Sequence, residues 1–583
     1  MKIYFTALKL ISSATFVILL ANCASSSQDS SESIDDETRI IITGSRIKRT
    51  EVEAISSIVR VISREERKKV KKEHGLALRV PNSAPPFIEN ELLYKRIANN
   101  PIASNQIFKR YKVNPTIQTI HNPVSTFSMD ADNGSYKLAS AMLNRNQLPN
   151  PDGIRIEEFI NSMDYQYNQS EGLFSVSAEA MPSPFRDGYH VLHLGLQTKT
   201  LADHERNPSN LVFVADISGS MASDNKIDLL KNAMTTLVSQ LNKDDYIALV
   251  VYNDNASVVL EPTPVANKRK IFKVINNLQT GGSTNAERGL IKGYEIAEQM
   301  YQPGFNNRVI LTSDGMANVG SVSPESIIAK ISESKDKGIF LTTLGVGIGM
   351  YNDHLLEQLA NKGNGNYLYI ANQKDIQNAF VDGLNSQLQT VAKDAKIQVT
   401  FDPQFVSNYR LLGYENRQLK KQDFTDANKD GGEVGAGHKV TALYEIKLKK
   451  NSHNHQTVKS GSIAKISIAY KKPQGHKVQI MTKNIPYNII RGSSSTVSPD
   501  SRLSFAVAAF AEKLRQSYWS RLYNYEDIDS LLSHLPNNYK RQQQVIDLRK
   551  LVTKARQIDS RIDTYEVDYP VANINYDRVP LLD

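Results

Sequence analysis

Between residues 211 and 393 the apolar runs LVFVAD, YIALVVY, RVILTSDG, IFLTTLGVG and NYLYIA alternate with amphipathic stretches such as KIDLLKNAMTTLVSQL and ESIIAKISESKDKG. A strand that is apolar at successive positions has no solvent face and must be covered on both sides. Helices alternating with such strands supply the cover. The pattern predicts a doubly wound α/β domain around a parallel sheet.

At 583 residues the chain exceeds one core, and a rule of roughly 150 residues per domain gives about three or four units. Before the α/β block, HVLHLGLQTKTL reads as a strand. After Asp394, KIQVTFDPQF, HKVTALYEIKLKK, GSIAKISIAYKKP and HKVQIMTKNI read as strands of an all-β unit, and SRLSFAVAAFAEKLRQSYWSRL and YKRQQQVIDLRKLVTKARQI restore helical spacing. Strands on both sides of the block are most simply packed as one sandwich, built near 172–200 and 396–490, with the α/β domain inserted in it. The stretch KDIQNAFVDGLNSQLQTVAKDA reads as a last helix running straight into the β unit.

The N-terminus carries an address. Lys2 and Lys9 flank the start of an apolar stretch too short for a permanent membrane anchor, the pattern of a secretory signal. Cys23 is the single cysteine, so no intrachain disulfide can form. With Leu20, Ala21 and Asn22 before it, Cys23 resembles the modified cysteine of a bacterial lipobox, although Asn22 stands where that pattern takes Gly, Ala or Ser. The alternative is ordinary cleavage near Ala24 to Ser26. The lipobox resemblance, with no Asp at position 24, implies an outer-membrane lipoprotein facing periplasm or exterior. About half of the net charge of +9 sits between Arg46 and Glu73, where ten Lys or Arg face five Glu. No aromatics interleave with them, which favours a solvated stalk over a nucleic-acid surface. TRIIITGSRIKR (38–49) resembles the segment opening the plug of TonB-dependent receptors, or is one exposed strand and a turn.

Open α/β sheets bind ligands at the carboxyl ends of their strands. There VFVADISGSM places Asp216, Ser218 and Ser220 at alternating positions, TGGSTNAERGL offers Thr284 at a helix entrance, and VILTSDGMAN ends on Asp314. Two carboxylates and three hydroxyls are hard oxygen donors, suited to Mg²⁺ rather than Zn²⁺. Two carboxylates neutralise a divalent ion, leaving it a Lewis acid toward an incoming Asp or Glu.

This set resembles the metal-ion-dependent adhesion site (MIDAS) of von Willebrand factor type A (VWA) domains. The resemblance implies that Ser218, Ser220 and Thr284 coordinate Mg²⁺ (or Mn²⁺ or Ca²⁺) directly and that Asp216 and Asp314 do so directly or through water. STFSMDADNGSY, RIEEFINSMDYQY, GAGHKVTALYEI and SFAVAAFAEKLRQS further resemble segments of bacterial VWA lipoproteins, over most of residues 85 to 555. The expected organisation is a signal peptide (1–22), a lipid-anchored linker and basic stalk (23–84), an N-terminal extension giving strands to a β-sandwich (85–204), a VWA domain (205–394), the β-sandwich (395–495) and a C-terminal helical region and tail (496–583).

Other motifs carry less. DANKDGGEVGAG begins like a calcium loop, with Asp426, Asn428, Asp430 and Gly431 at the right offsets, but Gly437 stands where a bidentate Glu belongs, so an Asx-rich turn is the better reading. DADNGSY (Asp130 to Tyr136) is read the same way, and His453 to His455 as a solvated loop. Trp519 reads as core or packing surface. No GxSxG, HExxH or GxxxxGK[ST] motif is present. The expectation is a non-enzymatic, metal-dependent protein-binding module with a lipid anchor, no nucleic-acid partner and no small-molecule substrate. The alternatives are a structural envelope subunit or a metal-dependent hydrolase.

Overall fold

The computed structural model describes residues 108–561 apart from 109, 130–131, 170, 315–328, 330–333, 335–336, 348–352 and 450–460, all within the unit Ala84–Asp583. The signal, Cys23, the 38–49 segment, the basic stalk and His453–His455 lie outside the described residues.

Strands β1 (Ile117–Gln118), β2 (Val124–Ser128), β3 (Phe174–Pro182) and β4 (Tyr189–Thr198) precede the α/β domain. That domain holds β5 (Ser209–Asp216), β6 (Tyr246–Tyr252), β7 (Ala256–Pro264), β8 (Asn306–Ser313), β9 (Phe340–Val346) and β10 (Tyr367–Ile370). Their order is β10-β9-β8-β5-β6-β7, and the neighbours pair parallel except β6 and β7. The sequence pattern pointed to a parallel sheet, and β7 corrects it. Its buried and exposed residues mix along the strand because it is an edge joined to β6 by a short turn, without the apolar run of the interior strands.

Each face of this sheet has its own core. On one, Leu211, Phe213 and Ala215 pack against Leu230, Met234 and Leu237 of the helix Lys226–Gln240. On the other, Val212 and Val214 meet Leu290, Tyr294 and Ala297 of the helix Ala286–Met300. Alternate residues of one strand thus serve opposite layers. The second core also includes Leu138 and Met142 of the helix Gly134–Asn144, so the N-terminal extension helps cover the sheet.

The remaining strands are β11 (Thr390–Phe401), β12 (Val406–Leu412), β13 (Gly432–Gly435), β14 (Lys439–Leu448), β15 (Ser462–Lys471) and β16 (Gln479–Pro486). One sheet runs β1-β12-β14-β4-β3; the other runs β13-β11-β15-β16, with β2 also on β11. Leu192, Leu194 and Leu196 of β4 join Ile397, Val399 and Ile466 in the core between the sheets. Val191 points the other way, into a core with Phe505, Ala508 and Phe510 of the helix Pro499–Arg515. Strands from both sides of the α/β domain therefore build one sandwich, capped by C-terminal helices. Trp519 is 3% exposed and donates through Nε1 to the Asn114 carbonyl, 3.0 Å.

The expected last helix is broken. The chain forms helix Gln373–Gln377, a π-turn at Asn378–Asp382 and helix Leu384–Leu388, and is strand from Thr390 onward. Gly383 weakens the helix interior. At Gly435 of β13 a Cβ would lie 1.8 Å from the Ser386 carbonyl, so the helix backbone rests on a strand that pairs with Thr390, Ala392 and Ala395. That pairing takes over before the helical periodicity ends. At the junction, the Asn207 amide donates to Gln389 Oε1, 2.9 Å, bringing the chain's entry to and exit from the inserted domain side by side.

Candidate metal centre

Asp216 is the last residue of β5, and the parallel register sets it beside Tyr252 at the end of β6. Ala215 pairs with Thr312 of β8, so the next residues of that strand, Ser313 and Asp314, emerge at the same edge. Asp216 Oδ1 accepts the Ser218 amide at 2.9 Å, while Oδ2 accepts the hydroxyls of Ser313 at 3.1 Å and Tyr252 at 3.2 Å. The Ser218 and Ser220 hydroxyls share a hydrogen bond of 3.1 Å. The Thr284 loop is tied to the serine loop by backbone bonds from Gly219 to the Gly282 carbonyl, 2.9 Å, and from Gly281 to the Ile217 carbonyl, 2.8 Å. Gly282 holds φ +82, and an added Cβ would fall 2.4 Å from Asp254 Oδ2. This turn therefore requires glycine.

Asp216, Ser218, Thr284 and Asp314 are each at most 2% exposed. Burial pushes the Asp216 carboxyl up to about 6 against the hydrogen bonds from Ser218 and Ser313, and the charge of Asp314 adds to the rise. Burial likewise holds the Tyr252 hydroxyl well above its usual range, with the Asp216 charge acting in the same direction. Tyr252 thus remains a protonated donor. Hydroxyls and carboxylates packed together away from water fit a small hard cation, which restores the solvation that the buried carboxylates have lost.

Three residues at this edge were not singled out in the sequence. Lys226 is 4% exposed and donates to Asp314 Oδ2 at 2.8 Å. Tyr252 and Ser313 fix the orientation of Asp216. Signals existed for the last two: Tyr252 ends the apolar run that becomes the neighbour of β5, and Ser313 immediately precedes Asp314. Lys226 had none, since a lysine opening an amphipathic helix ordinarily faces water.

The Asp426 loop is a turn, whereas the described part of DADNGSY leads into the helix Gly134–Asn144. Asp426 Oδ1 accepts the Asn428 amide at 2.8 Å. Asp132 is an ion-pair partner of Arg417, 3.2 Å, and accepts the Tyr367 amide, 3.2 Å. Asp394, Asp430 and Glu433 do converge, their carboxylates within 4.8 Å of one another. Lys471 is already seated on Asp394 at 2.7 Å.

Family models match three stretches: von Willebrand factor over residues 102–193, von Willebrand factor type A domain over 210–382, and the C-terminal region of the uncharacterized protein YfbK over 386–558. YfbK of Escherichia coli (strain K12) is 34% identical over 431 residues, covering 70% of this chain and 74% of its own. The human inter-alpha-trypsin inhibitor heavy chain H3 is 28% identical over 181 residues, 29% of this chain and 20% of that protein. The solved von Willebrand factor type A protein from Catenulispora acidiphila aligns with 67% of this chain and 91% of its own at 14% identity and a TM-score of 0.38. The chain therefore belongs to the family of YfbK, bacterial proteins that join a von Willebrand factor type A domain to the YfbK C-terminal region.

Proposed function

We propose that the protein is a metal-dependent, adhesion-type protein-binding module of an exported bacterial lipoprotein. In this reading Asp216, Ser218, Ser220, Thr284 and Asp314 hold a divalent ion, Mg²⁺ or else Mn²⁺ or Ca²⁺, and an Asp or Glu from a protein partner completes its shell. VWA domains are interaction modules and are often metal-dependent, which supports the assignment. The observation that carries it is the cross-stitching of three loops at one sheet edge, which gathers buried oxygen donors with no hydrophobic reason to be there. The ion supplies Lewis acidity toward a carboxylate; Ser313 and Tyr252 orient Asp216 for it.

No general base or nucleophile is needed for this role. Tyr252 is held protonated, and Lys226 is engaged with Asp314, so neither is poised for hydrolysis. Cys23 carries the lipid anchor in this reading, at the outer membrane, with nucleic acid and small-molecule substrates outside the function. The decisive measurement is isothermal titration of Mg²⁺ into wild type and Asp216→Ala. Binding lost in the variant supports the site, and equal affinity in the two removes it. A structural envelope subunit would behave differently: chelation would lower its melting temperature while leaving crosslinked pull-downs unchanged.

A further inference from the structure

We propose that Lys226 is a resident counter-cation of this centre: it shares Asp314 with the bound ion, weakens metal binding, and leaves the loaded centre with one net positive charge that favours an anionic ligand. This rests on the metal-binding reading above.

Asp224 and Asn225, at φ 54° and 56°, are two successive non-glycine residues in the left-handed region immediately before the helix Lys226–Gln240. Asp and Asn are the residues with a Cβ that adopt this region most readily. The first residue of the helix after them, Lys226, is buried. The stem then lies along Gly347, where an added Cβ would sit 2.6 Å from Lys226 Cγ and 3.1 Å from Cδ. At the end of that stem the ammonium donates to Asp314 Oδ2 at 2.8 Å and to the Ser220 carbonyl at 3.4 Å. A buried ammonium paired with a ligand carboxylate has little freedom to swing into water.

The charge arithmetic changes accordingly. Asp216 and Asp314 contribute two negative charges and Lys226 one positive, so a divalent ion brings the centre to +1 and one partner carboxylate brings it to zero. Without Lys226 the loaded centre would be neutral and the liganded one negative. Like charges at close range in a buried site repel far more than in water, so removing the ammonium strengthens metal binding and weakens the preference for an anion.

The test is Mg²⁺ titration calorimetry on wild type, Lys226→Met, Lys226→Gln and Lys226→Arg, each checked by thermal melting. Acetate is also titrated into the Mn²⁺-loaded proteins and followed by water proton relaxation. The expected result is Mg²⁺ binding about tenfold tighter in Lys226→Met or Lys226→Gln, acetate binding weaker in the same variants, and Lys226→Arg close to wild type. A residue that only props the fold would move metal affinity the other way. Should one neutral variant fail to fold, the other decides. Wild-type binding of Mg²⁺ with no gain in a folded neutral variant, or an equal gain in Lys226→Arg, overturns this inference alone. Absence of Mg²⁺ binding in wild type and variants overturns the metal reading with it.

Discussion

Two histidines, His193 buried and His438 half-buried, make the stability of the fold pH-dependent, and His438 is the informative one. Its Nδ1 accepts the Gly435 amide at 3.0 Å, which requires that nitrogen to be unprotonated. Burial lowers its pKa from the ordinary 6.5 to about 4, and the nearby Arg308 guanidinium, from β8 of the inserted domain, pushes the same way. His193 in β4 is likewise lowered to about 4 by burial, opposed by Glu179. Between pH 6.5 and 4 the unfolded chain binds protons that the folded chain refuses, so stability rises with pH across that window. It is fully present above 6.5 and is lost as pH falls toward 4. With those two pKa values, moving from pH 7.5 to 5 removes about 2 kcal/mol per histidine.

The substitution His438→Asn keeps an acceptor for Gly435 and removes the titration. Urea unfolding at both pH values should show wild type losing about 2 kcal/mol more than the variant. Contributions from other groups, including Asp216, whose raised pKa acts in the opposite direction, cancel in that difference. A wild-type loss within about 0.5 kcal/mol of the variant's, or an imidazole NMR titration of His438 centred above 6, would refute the reasoning.

Three further outcomes follow from the packing. Asp245 lies fully buried against Arg206 at 2.7 Å and accepts the amides of Ser209 and Asn242 at 2.7 Å each, so Asp245→Ala should cost about 3–5 kcal/mol in chemical denaturation by stranding the guanidinium; a loss below about 1 kcal/mol would mean that Arg206 is hydrated. At Gly293 an added Cβ would lie 2.2 Å from Val214 Cγ2, and Gly293→Ala should destabilise by about 1–2 kcal/mol despite the better helix propensity of alanine, which thermal melting would reveal. Tyr252→Phe removes a donor to Asp216 and to the Thr312 carbonyl; it should lower stability by about 1 kcal/mol and weaken Mg²⁺ binding several-fold in calorimetry, whereas unchanged affinity would show that Asp216 needs no orienting hydroxyl.

Much of the architecture was legible. The runs LVFVAD and RVILTSDG are apolar at successive positions because β5 and β8 are covered on both faces, and β5 is in fact buried throughout. The insertion was legible because strand patterns stood on both sides of the helical block. β7 was not, since an edge strand carries only a partial burial signal. The helix break before Thr390 was hidden as well: Gly383 was visible, but the pairing of Thr390 to Ala395 with β13 is a contact between residues about forty positions apart. At the site, Asp216, Ser218, Ser220, Thr284 and Asp314 stand at loops that the α/β pattern already placed at one sheet edge. Their surroundings were not readable. Ser313 and Tyr252 look like ordinary strand residues, and Lys226 looks like an ordinary lysine opening an amphipathic helix.

Residue types and their local spacing were enough to say which segments must be buried, that the central domain is of the α/β class, and what kind of atom is available at its carboxyl edge, because burial and donor chemistry are local properties. Tertiary structure decided the rest: which sheet the flanking strands complete, where the last helix yields to β11, and that an ammonium sits on Asp314. Those outcomes depend on register and on charges brought together from distant parts of the chain, where the energy belongs to the pair.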